Sequence, residues 1–294
     1  MMIGAARAAA GLAVTCSCAP SVKVKQEQEQ EQEQAKAPAG FKLGICDWTV
    51  GKTANPGSFE IAKKIGLDGV QVDFGSGENE LPLFDEQLQQ DIVDAAQAHE
   101  MEIASLAMGV LNNVPYKSDP RAERWVRQGI EVAEAMGAKI ILLAFFGNGD
   151  LKGDEQGINN VVQRLRQMTP DAEVAGVTLG IESWLSAEQH IDIIERVGSQ
   201  SVKVYYDVAN SHKMGYDIYQ EIRKLGPLIC QFHAKDYDNL YGKGSIDFKE
   251  VHAAIDDIGY RGWLVIEGTK TPLGLEESYQ YDTEYLRGIF PKKV

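Results

Sequence analysis

From residue 41 onward the chain alternates short apolar runs with amphipathic segments of helical length, and this alternation repeats until near residue 290. Eight apolar runs can be placed without forcing. The first four are KLGICDW (42–48), DGVQVDF (68–74), EIASLAMG (102–109) and KIILLAFF (139–146). The second four are VTLGIES, VKVYYDVAN, LICQFHAKD and GWLVIEG. Several are continuous Val/Ile/Leu stretches, as expected for parallel strands covered on both faces. Amphipathic segments follow at 57–66, 85–100, 118–136 and 154–168, and another, DIYQEIRKLG, ends at a glycine suited to a C-terminal cap. In the segment starting at Phe248, Val251, Ile255 and Ile258 continue one face at helical spacing. The pattern predicts an α/β fold, a single (β/α)8 barrel over residues 41–294. An open doubly wound sheet would carry a Gly-rich phosphate turn after its first strand, and CDWTVGKTANPG is not one.

The last four runs share a second property. Each ends in a group able to bind a cation or move a proton: Glu182, Asp207, His233 and Glu267, spaced 25, 26 and 34 residues apart. Side chains at the C-terminal ends of parallel barrel strands converge on one mouth, where such barrels carry their chemistry. One carboxylate at a strand end is ordinarily a solvated loop residue. Four such groups on consecutive strands are a different matter, because burying isolated carboxylates costs several kcal/mol unless a cation or partner neutralises them. Three carboxylates and one imidazole suit a hard divalent cation, Mn²⁺ foremost, with Mg²⁺, Co²⁺ or Zn²⁺ as alternatives.

The formal charge is −14 and residues 1–40 are balanced, so the folded part carries the whole excess. Such a body repels a phosphate backbone, and a nucleic-acid partner is not expected. Residues 1–18 (MMIGAARAAAGLAVTCSC) read as a secretory or lipoprotein-like leader, with Cys16 as the candidate lipidated residue and possible membrane anchor point. The expected location is exported, periplasmic or lipid-anchored, with the cytoplasm as the alternative. Residues 19–40 form a Gln/Glu-rich linker too polar to bury a core, so leader and linker are expected to be disordered. Cys46 and Cys230, inside strands, read as buried free thiols.

The stretch LGIES…VYYDVANS…GYDIYQEIRKLGPLICQFHAKD…GKGSIDFKEVHAAIDDIGYRGWLVIEG resembles the xylose isomerase-like TIM-barrel superfamily of sugar and sugar-phosphate isomerases and epimerases. The likeness is detailed over roughly 177–268 and fainter from residue 41. It implies one divalent cation bound by Glu182, Asp207, His233 and Glu267. It also implies that Glu182 and Glu267 act as catalytic acid and base on opposite faces of a small carbohydrate, passing a proton through a metal-stabilised enediolate. Return of the proton to the same carbon is epimerisation, and return to the next carbon is isomerisation. The same site in related lyases expels a hydroxyl, so a dehydratase is the in-family alternative; a non-catalytic carbohydrate-binding lipoprotein is the alternative from another class.

Around these four, several residues carry two readings. Many ketose 3-epimerases have histidine three positions after the strand-six aspartate; here Asn210 stands there, nearer the DxxN form of phosphorylated-pentulose epimerase-like members. Asn210 bonds either a substrate hydroxyl or local backbone. Lys235, in the HxKD motif, faces the substrate or a surface carboxylate, with Asp236 as its orienting group. Trp48, Phe146 and Trp184 wall a sugar or fill a core. Lys243 contacts a substrate anion or is solvated, and Glu188 opens a helix. His99, His190, His212 and His252 read as ordinary packing or surface histidines. Together with the acidic charge, that scarcity speaks against the DNA-repair endonuclease branch of the superfamily. Substrate identity and oligomeric state are not legible.

Overall fold

The computed structural model describes residue 1, residues 40–268 and residues 270–292. The leader with Cys16 and Cys18, and the linker up to residue 39, lie outside the described residues apart from Met1. Eight parallel strands close into a barrel in sequence order: β1 Lys42–Cys46, β2 Gly69–Asp73, β3 Glu102–Met108, β4 Ile140–Phe145, β5 Thr178–Ser183, β6 Val202–Asp207, β7 Ile229–Ala234 and β8 Trp263–Ile266. Closure is made by β1 and β8, paired from Lys42↔Trp263 to Ile45↔Ile266. The helices are α1 Gly57–Ile65, α2 Glu86–Ala98, α3 Pro120–Ala135, α4 Glu155–Ala175, α5 Ala187–Val197, α6 Val208–Lys213, α7 Ile218–Leu225, α8 Phe248–Asp257 and α9 Leu275–Arg287. No described helix is long and apolar enough to cross a membrane.

Local chemistry explains the boundaries. Asp85, Asp119, Asp154, Asp217 and Asp247 each cap a helix by accepting from a backbone N–H, and Ser186 with Gln189 forms a capping box on α5. Two expectations need correction. Helix α4 does not stop at 168 but runs through Pro170 to Ala175, because Leu165, Met168, Thr169 and Ala172 continue its buried face. The run VKVYYDVAN is not extended throughout: Asp207 ends β6 and caps the short α6, accepting from Asn210 N at 2.7 Å.

The main core lies between barrel and helices, with Leu43, Ile45, Val70, Leu106, Ile141, Ile181, Val204 and Phe232 all buried. Side-chain alternation along each strand sends the other set inward. That inner set includes Gly44, Cys46, Gly69, Gln71, Ser105, Ala107, Leu142, Ala144, Tyr205, Gln231 and Val265, so the centre is partly polar rather than filled by aliphatic side chains. At the rim, Asp47 Oδ2 accepts from Ala54 N (2.8 Å) and Asp73 N (3.1 Å), tying β1 to β2, while Asp47 Oδ1 is buried without a hydrogen-bond partner. Burial, reinforced by the neighbouring Asp73, pushes the Asp47 carboxyl up to about 8.

Two expected outcomes follow from this packing. A methyl group on Gly69 would lie 2.4 Å from Glu102 O and 2.5 Å from the Trp263 ring, so Gly69→Ala is expected to lower unfolding free energy by roughly 1–3 kcal/mol. Unchanged denaturant midpoints would show that the strand–ring contact is not tight. For Asp47 the folded state holds its proton more strongly than the unfolded chain. This group therefore costs nothing below its unfolded value and progressively more as pH rises towards about 8. Relative to wild type, Asp47→Asn should be more stable at pH 8 than at pH 5, by on the order of 4 kcal/mol; parallel pH–stability curves would contradict it.

Candidate functional site

Period-two alternation places Glu182 with Gly180, Asp207 with Tyr205, His233 with Gln231 and Glu267 with Val265 on the inner face of their strands. The register sets Asp207 directly beside His233, and His233 pairs with Val265, two residues before Glu267 on the same face. Each of Glu182, Asp207, His233 and Glu267 offers one ligand atom, and these atoms all lie within 4.8 Å of one another. His233 Nδ1 is 3.0 Å from Glu182 Oε1, 3.6 Å from Glu267 Oε2 and 3.8 Å from Asp207 Oδ2. The four groups that the sequence placed at strand ends are therefore one cluster.

Its electrostatics follow from crowding. Asp207 is fully buried, and burial together with Glu267 and Glu182 raises its carboxyl well above the usual carboxylate range despite the opposing Lys235. Burial acts the same way on Glu267, but His233 and Lys235 outweigh it and hold that carboxyl down at about 2. For His233, burial opposes the charged form, yet the surrounding Glu182 and Glu267 raise its pKa overall. Asp207 Oδ1 is used by the α6 cap, whereas Oδ2 is buried with no hydrogen-bond partner. An orphaned carboxylate oxygen beside two more carboxylates and an imidazole fits a divalent cation, whose charge and coordination would satisfy it.

The inner face of the barrel prepares His233 for that role. His233 Nε2–H donates to Gln71 Oε1 at 2.7 Å, an oxygen that also accepts from Cys46 Sγ at 3.2 Å. Gln71 Nε2 in turn donates to Ser105 Oγ (2.9 Å) and Tyr205 OH (3.1 Å), and Gln231 Nε2 donates to the same serine (3.1 Å). Because an amide oxygen only accepts, Nε2 carries a hydrogen, which leaves Nδ1 to face the carboxylates, where it donates to Glu182 when protonated and can ligate a cation when not. Sequence reading missed Gln71. Its signal was a lone amide inside the apolar strand GVQVD, where a buried polar side chain needs a partner.

The flanking residues resolve as follows. Lys235 Nζ donates to Glu267 Oε2 at 2.7 Å and lies 3.8 Å from Asp207, so it joins the cluster rather than a surface carboxylate. Asn210 Nδ2 donates to Glu182 Oε1 at 3.4 Å while its backbone N–H serves the Asp207 cap, so its side chain meets a cluster carboxylate rather than local backbone. Trp48 Nε1 donates to Glu267 Oε1 at 3.4 Å and its ring meets His233 edge-on. Asp236 does not orient Lys235. Its Oδ1 accepts from Ser245 N and Ile246 N, tying down the segment after β7, because its side chain turns back towards Gly244. Lys243 is exposed and does not line the cavity described next. Glu188 sits in the first turn of α5 and pairs with Lys224. His190 is a buried packing histidine, bonded to Ser183 Oγ (2.9 Å) and Ser186 O (3.0 Å), and burial lowers its pKa to about 4. Cys46 and Cys230 are free thiols, the first buried and the second partly so.

A cavity of about 340 Å³ opens beside the cluster, and both Glu182 and Glu267 line it. Trp48 and Phe146 form aromatic walls, with Trp184 packed on Phe146 at 5.2 Å between ring centres. The volume lies within the range of small-molecule sites.

Comparison with known proteins agrees with this architecture. A D-psicose 3-epimerase of Enterocloster bolteae is 30% identical over 129 residues, 41% of this chain and 42% of that protein. An L-ribulose-5-phosphate 3-epimerase of Escherichia coli is 22% identical over 226 residues, 71% of this chain and 80% of that protein. Among solved structures, D-psicose 3-epimerase with D-tagatose from Clostridium cellulolyticum superposes with a TM-score of 0.73 at 18% identity, covering 85% of this chain and 99% of that one, which speaks to the fold. The family model described as xylose isomerase-like TIM barrel matches residues 59–289, most of the chain. This chain belongs to the xylose isomerase-like TIM barrel family.

Proposed function

We propose that the protein is a divalent-metal-dependent isomerase or epimerase of a sugar or sugar derivative, with Glu182 and Glu267 as the proton-transferring pair. One observation carries the reading: two carboxylates that line a sugar-sized cavity also belong to a buried group of four ligand residues within 4.8 Å of one another. The sugar-epimerase relatives support it. Glu182, Asp207, His233 and Glu267 would hold the cation, Mn²⁺ by preference for a site of three carboxylates and one imidazole. When bound, that cation supplies Lewis-acid stabilisation of negative charge on neighbouring substrate oxygens.

The protein's own groups divide the remaining work. Glu182 and Glu267 take and return the proton beside the substrate carbonyl. They are not equivalent, since Lys235 and Trp48 contact Glu267 whereas the neutral Asn210 contacts Glu182. Unequal surroundings suit one carboxylate to receive a proton while the other gives one up. Of the three residues bonded to these glutamates, Trp48 lines the cavity and would contact the sugar face, while Lys235 and Asn210 would act on the substrate through Glu267 and Glu182. Trp48 and Phe146 would exclude water from the reacting carbons.

The test is proton exchange. With Mn²⁺ and a panel of ketoses in D₂O, NMR should show deuterium at the carbon beside the carbonyl, together with an epimeric or isomeric product. An absorbing enone without exchange would indicate elimination instead, and sugar binding without any turnover would indicate a binder. Glu182→Gln and Glu267→Gln should each lower exchange by roughly 10²–10⁴-fold. Chelation should abolish exchange and lower the melting temperature, with Mn²⁺ restoring both. Gln71→Leu, which removes the acceptor for His233 Nε2–H, should weaken Mn²⁺ binding by roughly 10–100-fold in calorimetry; unchanged affinity would make that bond irrelevant to the metal.

A further inference from the structure

The relatives include an enzyme named for a free ketose and one named for a phosphorylated ketose, so family membership leaves open the charge at the substrate's far end. The cavity wall speaks to it. Besides Glu182 and Glu267, its charged lining group is Asp73; among the described residues no lysine or arginine lines it. Lys235, the nearby ammonium, is already engaged with Glu267 and Asp207.

Asp73 is held rigidly at the rim. Its Oδ1 accepts from Gly75 N at 2.7 Å and its Oδ2 from Gly109 N at 2.9 Å. Glycine at 109 permits that approach, since a methyl there would lie 2.9 Å from Asp73 Oδ2, and Gly75, at positive φ, would strike Pro82 at 2.8 Å if it carried one. Each carboxylate oxygen keeps a further lone pair, so Asp73 can accept from a neutral hydroxyl. A phosphate has no hydrogen to offer there in its dianionic form and would sit against fixed negative charge in a confined, partly dry space. Trp48 and Phe146, which line the same cavity, favour the apolar face of a sugar ring or chain over a solvated anion. The excess negative charge of the chain adds long-range repulsion of the same sign.

We propose that this site takes an uncharged ketose or keto-sugar and discriminates against its terminal phosphate ester, with Asp73 as the specificity-determining group. The inference rests on the cavity beside Glu182 and Glu267 being the substrate site of the proposed isomerase or epimerase. Negative selection of this kind works through a repulsive element as much as through new attraction.

The experiment pairs free and phosphorylated ligands on the Mn²⁺-loaded full chain. Ketopentuloses and ketohexuloses, including D-psicose and L-ribulose, and their terminal monophosphates are titrated calorimetrically and followed for deuterium uptake. The free sugars should bind at least roughly tenfold more tightly than their esters, a difference of about 1.4 kcal/mol. Asp73→Asn should narrow that ratio. Because Asp73 also ties backbone, a second variant is used at Ser76, an exposed residue of the same wall: Ser76→Lys should raise affinity for the esters with little change for the free sugars. Equal or tighter binding of the esters overturns the inference, as does a panel in which no ligand binds. Preferential binding of free sugars without carbon-bound deuterium would keep this inference while defeating the proposed reaction.

Discussion

Three carboxylates crowded at one end of a closed barrel are the constraint on which the rest of the structure turns. At separations up to 4.8 Å and an effective dielectric near 20, each like-charged pair repels by roughly 3 kcal/mol. Were all three ionised, three such pairs would approach the whole stability of a typical domain, about 5–15 kcal/mol, and the raised pKa of Asp207 reflects that strain. The cluster therefore persists only with compensating positive charge. His233 and Lys235 supply part of it from within the chain, and Asp207 Oδ2, which has no hydrogen-bond partner, marks where a cation would supply more.

The barrel interior is organised around that need. Where many barrels fill the centre with branched aliphatics, here Gln71, Ser105, Tyr205 and Gln231 form a hydrogen-bonded stack beneath His233. The stack fixes an imidazole edge that would otherwise be free to choose its tautomer. Its polar atoms are largely paired with one another, so burying them is not prohibitive. The outer layer, by contrast, is an ordinary apolar contact between strands and helices, and it supplies the stability that lets the centre be polar.

Much of the fold was legible because period and punctuation are local. Apolar runs ending near 46, 73, 108, 145, 183, 207, 234 and 266 can be found by eye, and Asp, Ser and Gly signals bound the helices. Misreadings arose where a local rule was overruled by packing. Pro170 argues for an end to α4, yet the buried stripe carries the helix on to Ala175. Asp236, next to Lys235 in sequence, was paired with it, but neighbouring residues on an extended segment point to opposite sides, and Asp236 serves Ser245 and Ile246 instead. Glu182, Asp207, His233 and Glu267 were visible through their regular spacing; Gln71, which touches His233 across 162 residues, carried no such rhythm.

By itself the sequence determined the succession of strands and helices and the placing of four ligand-type side chains at strand ends, since both depend on patterns within a few residues. Only the tertiary structure decided which atoms meet. Closure of β1 onto β8 brings Cys46 and Trp48 to His233 and Glu267, and the curvature of the barrel sets Lys235 on one glutamate and Asn210 on the other. Asp73 became part of a cavity wall for the same reason. Such contacts join residues far apart in the chain, and their distances depend on how the whole cylinder closes rather than on any segment's own preference.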